Sequence, residues 1–268
     1  GELKAGISGG GALQKHADEF FAGIRLRVLE GYGLTETSPI VAARTFERPV
    51  PYTVGPLLED VQVKIVDEQG AELPPGEMGI VMVKGPLVMK GYYKREELTR
   101  KVISADGWLN TGDLGRMTIN GELQITGRAK DTIVLLGGEN IEPQPIEQNL
   151  TQSRYISRVM VVGQNQRKPG ALIVPDFEQL EEFAKDENIP YRSLEELLQN
   201  HKVKELYRNE IKSYVSPKYG FRNVELISTF RLLSRGFEAG KELTHTLKMK
   251  RNLINEVYKK EINSMYIQ

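Results

Sequence analysis

The groups in this sequence that can act on phosphate and sugar are one lysine, three carboxylate or hydroxyl side chains, and one guanidinium. Lys248 stands in the basic run Thr246-Leu247-Lys248-Met249-Lys250-Arg251. A positioned ammonium there can stabilise negative charge that builds only in a transition state. Tyr32-Gly33-Leu34-Thr35-Glu36 offers a flat aromatic face for stacking a base, a glycine that lets backbone approach a ligand closely, and a hydroxyl for a phosphate. A carboxylate beside a phosphate makes sense chiefly as a Mg²⁺ ligand, because bare like charges repel. Asp113 follows Trp108-Leu109-Asn110-Thr111-Gly112 and can accept two hydrogen bonds from ribose hydroxyls. Plainer readings stand beside each. Tyr32 to Glu36 also suits a strand-to-loop junction, Asp113 a turn cap, and Lys248 a solvated basic face. Arg128 also suits a surface ion pair worth under about 1 kcal/mol.

Composition narrows the partners. Hydrophobic residues are 40% and charged residues 27% of 268, an ordinary globular balance. Lys+Arg 36 against Asp+Glu 36 leaves no net charge and excludes a nucleic-acid partner for the bulk chain. Cys 0 removes disulfides and thiolate chemistry and is consistent with a reducing cytosol. His16, His201 and His245 are isolated, which excludes a His-rich metal centre. No apolar run reaches the roughly 18–20 residues of a membrane span. The abrupt start at Gly1-Glu2-Leu3-Lys4 reads as an excised piece.

The elements that must position these groups follow from hydrophobic spacing. Phe20, Phe21, Ile24, Leu26 and Val28 predict a helix passing into a buried strand. Alternation from Val61 to Val83 predicts antiparallel strands, and Asn120-Gly121 predicts a type I′ hairpin, giving a β-rich subdomain over about 59–127. After Gly127, short apolar strands (132–136, 159–163, 171–175, 224–228) alternate with helices. Ser193 and Glu196 form a capping box, Val203, Leu206, Tyr207, Ile211 and Tyr214 line one helix face, and a last helix starts near Lys250. The fold class is α/β in the mixed α+β sense. The chain reads as two parts, residues 1–127 and a separate α+β domain at 128–268.

The four segments Tyr32 to Glu36, Trp108 to Asp113, Gly127-Arg128-Ala129-Lys130-Asp131 and Thr246 to Arg251 resemble, in this order, the later signature motifs of the adenylate-forming (AMP-binding) enzymes. That family holds acyl-CoA synthetases, peptide-synthetase adenylation domains and luciferases. Leu-Thr-His-Thr-Leu-Lys-Met-Lys-Arg at 243–251 resembles the long-chain fatty-acyl form, although the family commonly has Gly where Leu247 stands. The resemblance implies that Tyr32 stacks on adenine with Gly10 and Gly11 of Ser8 to Leu13 beside it. It also implies that Thr35 touches the α-phosphate, Glu36 holds Mg²⁺, and Asp113 and Arg128 take the ribose. Arg128, Ala129 and Lys130 become a hinge on which 128–268, a small mobile domain, swings against the large domain to which 1–127 would belong, and Gly137-Gly138-Glu139-Asn140 becomes a loop that enters the site for thioester formation. Lys248, favoured over Lys250, stabilises the adenylation transition state.

The implied reaction is ATP-dependent activation of a fatty acid, with CoA as thiol. Acyl–carrier-protein ligase or fused acyltransferase chemistry, or a nucleotide-binding module without turnover, are the alternatives. The family's Ser/Thr/Gly-rich phosphate loop precedes all four motifs and is missing, so the piece alone is expected to be inactive. A cytoplasmic setting follows, with the basic last helix a candidate for peripheral contact with an anionic membrane. Gly91-Tyr92-Tyr93-Lys94-Arg95-Glu96-Glu97-Leu98-Thr99 is read as structural and given no chemistry.

Overall fold

A computed structural model describes residues 2–267. The chain divides into two compact units, Gly1–Lys130 and Asp131–Gln268.

The first unit opens with β1 (Ala5–Ser8), α1 (Lys15–Gly23), β2 (Arg27–Gly33) and β3 (Ile40–Ala43). β1 pairs parallel to β2, with Ser8 opposite Glu30, and β3 returns antiparallel with Ala42 opposite Tyr32. The Gly-rich turn and Tyr32 therefore lie at the carboxyl ends of two parallel neighbours, where α/β sheets place ligands. Then follow β4 (Gly55–Pro56), β5 (Gln62–Val66), β6 (Gly79–Lys84), α2 (Glu96–Val102), β7 (Leu109–Met117) and β8 (Glu122–Arg128). Their order is β4-β8-β7-β6-β5, antiparallel throughout. β6 alternates strictly, burying Val81 and Val83 against Val41, Val54, Ile65 and Leu123.

The second unit contains β9 (Ile133–Val134), β10 (Asn140–Ile141), α3 (Pro143–Leu150), β11 (Ile156–Val162), β12 (Gly170–Pro175), α4 (Phe177–Asp186), α5 (Leu194–Gln199), α6 (His201–Tyr214), β13 (Thr229–Leu232), α7 (Arg251–Val257) and α8 (Lys259–Tyr266). β12 is central, antiparallel to β11 and parallel to β13. Both of its faces are covered, so it reads as an unbroken apolar run. Val159, Val161, Ala171 and Ile173 face the core shared with α3 to α6, while Met160, Val162, Leu172 and Val174 face Ile254 and Tyr258. Among the described residues no helix is long and apolar enough to cross a membrane.

Four local expectations change. The hairpin at 118–122 is not type I′: Gly121 has φ 87°, but Asn120 is not left-handed, and Gly121 N donates to Thr118 O at 3.0 Å while Thr118 N donates to Glu122 O at 2.8 Å. This is the three-residue loop that needs one left-handed residue. In α1 it is Asp18 that is buried, held by Arg44, whereas Phe20 and Ile24 point outward. The strand expected at 224–228 begins at Thr229, because Arg222 N and its guanidinium both donate to the Glu225 carboxylate and close a 3₁₀ turn first. The last helix breaks at Tyr258, which is buried edge-on against Phe237 at 5.9 Å.

Candidate active site

Asp113 is the hub of the first unit's polar residues. It sits opposite Arg128 in the β7–β8 ladder, so the two side chains share a face. Arg128 Nε donates to Asp113 Oδ1 at 2.8 Å, and the Tyr32 hydroxyl donates to Asp113 Oδ2 at 2.7 Å. Asp113 N donates to Thr111 Oγ1, whose own proton goes to Val81 O, which fixes the turn before it. Asp113 is 4% exposed, and a carboxylate oxygen can accept from two donors. Burial, and then the Asp113 charge, hold the Tyr32 phenol protonated far above its ordinary range. Tyr32 is therefore a locked hydrogen-bond donor with an apolar ring.

The next turn is Thr35–Thr37. Thr37 Oγ1 accepts from Leu34 N at 2.9 Å and donates to Pro39 O at 2.7 Å, while Thr35 stays exposed. A Cβ on Gly33 would lie 1.6 Å from the Pro39 carbonyl oxygen. The chain's own backbone thus requires glycine at 33. Glu36 accepts from the Tyr92 hydroxyl at 2.8 Å, and its carbonyl accepts from Met89 N. The segment given no chemistry accordingly supplies the protein partner of Glu36.

A buried ionic cluster sets the frame. Arg44 donates to Asp18 at 2.7 and 2.9 Å, to Glu30 at 3.1 Å and to Thr53 O at 2.6 Å. Glu30 also accepts from Leu13 N at 2.8 Å, tying down the turn that holds Gly10 and Gly11. Burial raises the Glu30 carboxyl above its ordinary value. Sequence reading missed this cluster, whose only visible signal was an acid on the inward side of α1.

In the second unit, Lys248 ends a tight hairpin loop. Thr244 N donates to Lys248 O at 2.8 Å, Leu247 N to Thr244 O at 2.9 Å, and Lys248 N to Thr244 Oγ1 at 3.0 Å. The same backbone pattern recurs at 67–71, 104–108, 118–122 and 135–139. In those four the left-handed position holds Gly70, Gly107, Gly121 and Gly138; here it holds Leu247 at φ 60°. A left-handed non-glycine residue costs about 1–2 kcal/mol, partly offset by glycine's larger chain entropy. Leu247 is 52% exposed, so it recovers little by burial. Leu247→Gly is therefore expected to stabilise the unit by about 0.5–1 kcal/mol. A urea midpoint that fails to rise, at unchanged slope, would refute the strain.

The loop is anchored at both ends. Lys250 N donates to Glu242 O at 2.8 Å, and Glu242, 2% exposed, accepts from Arg235 at 2.5 Å. The Arg235 hydrogen bond lowers the Glu242 carboxyl to about 2. Beyond it, Arg251 donates to both oxygens of Glu147 at 2.8 and 3.0 Å and to Val161 O at 2.8 Å, while Val161 N donates to Glu147 Oε1 at 2.7 Å. Glu147 occupies the apolar stripe Pro143, Ile146, Glu147, Leu150 of α3, the one signal that could have revealed it. The Lys250 ammonium is taken by Gly240 O at 3.1 Å, whereas the Lys248 ammonium makes no hydrogen bond or ion pair among the described residues. The Lys248 side chain is exposed, and the Lys250 side chain half-buried.

Gly137, Gly138 and Glu139 form an exposed turn between β9 and β10, with Gly138 at φ 88°, and Asn140 opens β10. Asn140 O accepts from Arg222 at 2.9 Å. Arg128 is the last residue of β8, Ala129–Asp131 is a single 3₁₀ turn, and the two units divide between Lys130 and Asp131.

Residues 1–93 match the family described as AMP-binding enzyme, and residues 130–213 its C-terminal domain. The chain is 41% identical, over 99% of its length, to probable acyl-activating enzyme 16, chloroplastic, of Arabidopsis thaliana, covering 38% of that protein. It is 39% identical over 99% of its length to the long-chain-fatty-acid–[acyl-carrier-protein] ligase AEE15 of the same plant, covering 36% of it. To the long-chain-fatty-acid–CoA ligase FadD15 of Mycobacterium bovis it is 33% identical over 99% of its length, covering 42%. The chain thus spans about two fifths of the relatives it matches. The o-succinylbenzoate CoA synthetase of Bacillus subtilis in complex with AMP superposes with a TM-score of 0.68 at 26% identity, over 92% of this chain and 45% of that one. Motifs, fold and relatives agree, and the chain belongs to the AMP-binding enzyme family, of which it carries the C-terminal part.

Proposed function

We propose that this chain supplies the nucleotide-gripping and mobile parts of an ATP-dependent ligase for long-chain fatty acids. The observation that carries the reading is the buried Asp113 carboxylate, held between Tyr32 and Arg128 with acceptor capacity left for a sugar diol. Tyr32 presents its ring to adenine, with the turn at Gly10 and Gly11 beside it. Asp113 and Arg128 take the ribose, and the exposed Thr35 hydroxyl meets the α-phosphate. In the first step a carboxylate oxygen of the fatty acid bonds to the α-phosphorus and the bond to pyrophosphate breaks. The Lys248 ammonium stabilises the charge on the α-phosphate oxygens as that exchange occurs. In the second step a thiol sulfur, having lost its proton, bonds to the acyl carbon and AMP leaves. Arg128, Ala129 and Lys130 form the hinge that exchanges Lys248 for the 137–140 loop between the steps.

Glu36 suits a Mg²⁺ that arrives with the nucleotide, since such ions take one or two carboxylates plus substrate phosphates. Among the described residues no group of three His, Cys, Asp or Glu side chains can hold a metal by itself. Bound there, the ion would neutralise phosphate charge.

CoA is the first choice of thiol. A carrier-protein thiol is the second reading, favoured by the higher identity to the acyl-carrier-protein ligase than to the CoA ligase. The test is pyrophosphate and AMP formation by the full-length protein across acyl lengths, with CoA or an acyl carrier protein added. Turnover peaking with long chains supports the reading, and the productive thiol selects the acceptor. Absence of any carboxylate-dependent pyrophosphate would overturn it.

A further inference from the structure

The sequence of α6 carries two stripes. Val203, Tyr207 and Ile211 face the core, and Lys204, Arg208 and Lys212 repeat at i, i+4 and i+8 beside them. Three cations in one row repel one another, each i,i+4 pair costing a few tenths of a kcal/mol, where alternating signs would have been favourable. The chain as a whole has no net charge, so this row is a local departure. Lys204, Arg208 and Lys212 line one wall of a cavity of about 400 Å³. β13, an edge strand of its sheet, also lines it and contributes Arg231.

Three observations separate this cavity from an ordinary solvated helix face. No aspartate or glutamate lines it, although the chain contains 36 of them. The Arg231 guanidinium donates one hydrogen bond, to Ser264 Oγ at 2.8 Å, while its Nε is buried without an acceptor. A buried, unpaired donor on a charged group costs free energy that an incoming acceptor would recover. Arg208 and Lys212, further, form no ion pair among the described residues, and only Lys204 is engaged, with Gln199 at 2.6 Å.

We propose that this cavity is a second anion site, separate from the nucleotide residues of the first unit, and that it takes a small organic phosphate bearing an apolar part. Two arginines and two lysines exceed what a single carboxylate needs and match a phosphate dianion, whose oxygens fit the planar guanidinium fork. Ser228, Thr229 and Ser264 also line it, with their hydroxyl protons donated to Pro169 O, Met265 O and Glu261 O, and Phe230, Leu232 and Met265 give an apolar lining for the rest of the molecule. The volume lies within the usual range for small-molecule sites. Nucleotides and phosphorylated lipids share this chemistry.

The test uses the chain itself, with its amide and arginine side-chain resonances followed during titration with three probes. These are inorganic pyrophosphate, AMP, and dodecyl phosphate kept below its micelle concentration. Saturable shifts of Arg231 Nε–H and of the Thr229–Leu232 amides are expected with at least one probe. Tighter binding of dodecyl phosphate points to the lipid source, and tighter binding of AMP at these same resonances to the nucleotide source. The surface double variant Arg208→Glu, Lys212→Glu, which leaves the core untouched, should weaken that binding at least about tenfold. Arg231→Lys, which keeps the charge but removes Nε, should weaken it several-fold. No saturable shift at these resonances, or equal shifts in the double variant, would overturn the proposal.

Discussion

Arg251→Ala is expected to destabilise the Asp131–Gln268 unit by about 3–5 kcal/mol, because it strands the buried Glu147 carboxylate. That is a large share of the roughly 5–15 kcal/mol that holds a domain folded. Glu147 would keep only its hydrogen bond from Val161 N. Burial already raises the Glu147 carboxyl above 4.5, with Arg251 as the chief opposing influence, so the variant raises it further. The sign of the pH dependence follows. A carboxyl whose folded value lies above its unfolded one binds its proton more tightly when folded, and the deficit is incurred as pH rises from about 4.5 through the folded value. The variant should therefore lie closest to the parent in acid and fall away toward neutrality. Urea titrations at several pH values, followed at amides of β11 and β12, read this directly. A loss under about 1 kcal/mol at pH 7, or a deficit that grows in acid, would show that the pair is not the anchor described. Adding Glu147→Gln should return part of the loss, since a neutral amide is cheaper to bury than an unpaired charge.

In the full-length protein, Lys248→Ala should lower the rate of adenylate formation about 10²–10³-fold, the range for removing one preorganised donor from developing negative charge. Folding should be untouched, since the ammonium is exposed and bonds to nothing among the described residues. Lys250→Ala makes the useful comparison, because that ammonium is spent on Gly240 O and its loss should act on loop stability before chemistry. Supplying preformed acyl-adenylate separates the two steps. If Lys248 serves α-phosphate charge, thioester formation from the adenylate should survive the substitution. Equal losses in both steps, or a larger effect from Lys250→Ala, would assign the role elsewhere.

The sequence made the polar motifs legible because each is local: Tyr32 to Glu36, Asp113 after its turn, and Lys248 in its basic run. Their connections were hidden because they depend on register. Asp113 meets Arg128 only through the β7–β8 ladder, and Tyr92 reaches Glu36 across 56 positions. Periodicity correctly gave the core side of α6 and the alternation of β6, where packing and pattern coincide. It misjudged α1, where Asp18 turns inward to pair with Arg44 and Phe20 is left exposed. It also joined α7 to α8, because nothing in the spacing reveals that Tyr258 must turn edge-on against Phe237. The close approach of the Pro39 carbonyl to Gly33 was likewise not legible in the spacing.

The apolar residues of this chain collect into separate cores, around Val81 and Leu123 before Lys130 and around Ile173 and Leu172 after it. A chain built this way need not melt as one cooperative body, and a scanning calorimeter should resolve its heat absorption into two transitions. Ligand linkage then acts on each transition by mass action. A molecule that engages residues of one unit moves only that unit's transition, and one that engages residues of both moves both. The endotherm would thus report how far across the chain a bound molecule reaches, before any turnover is measured.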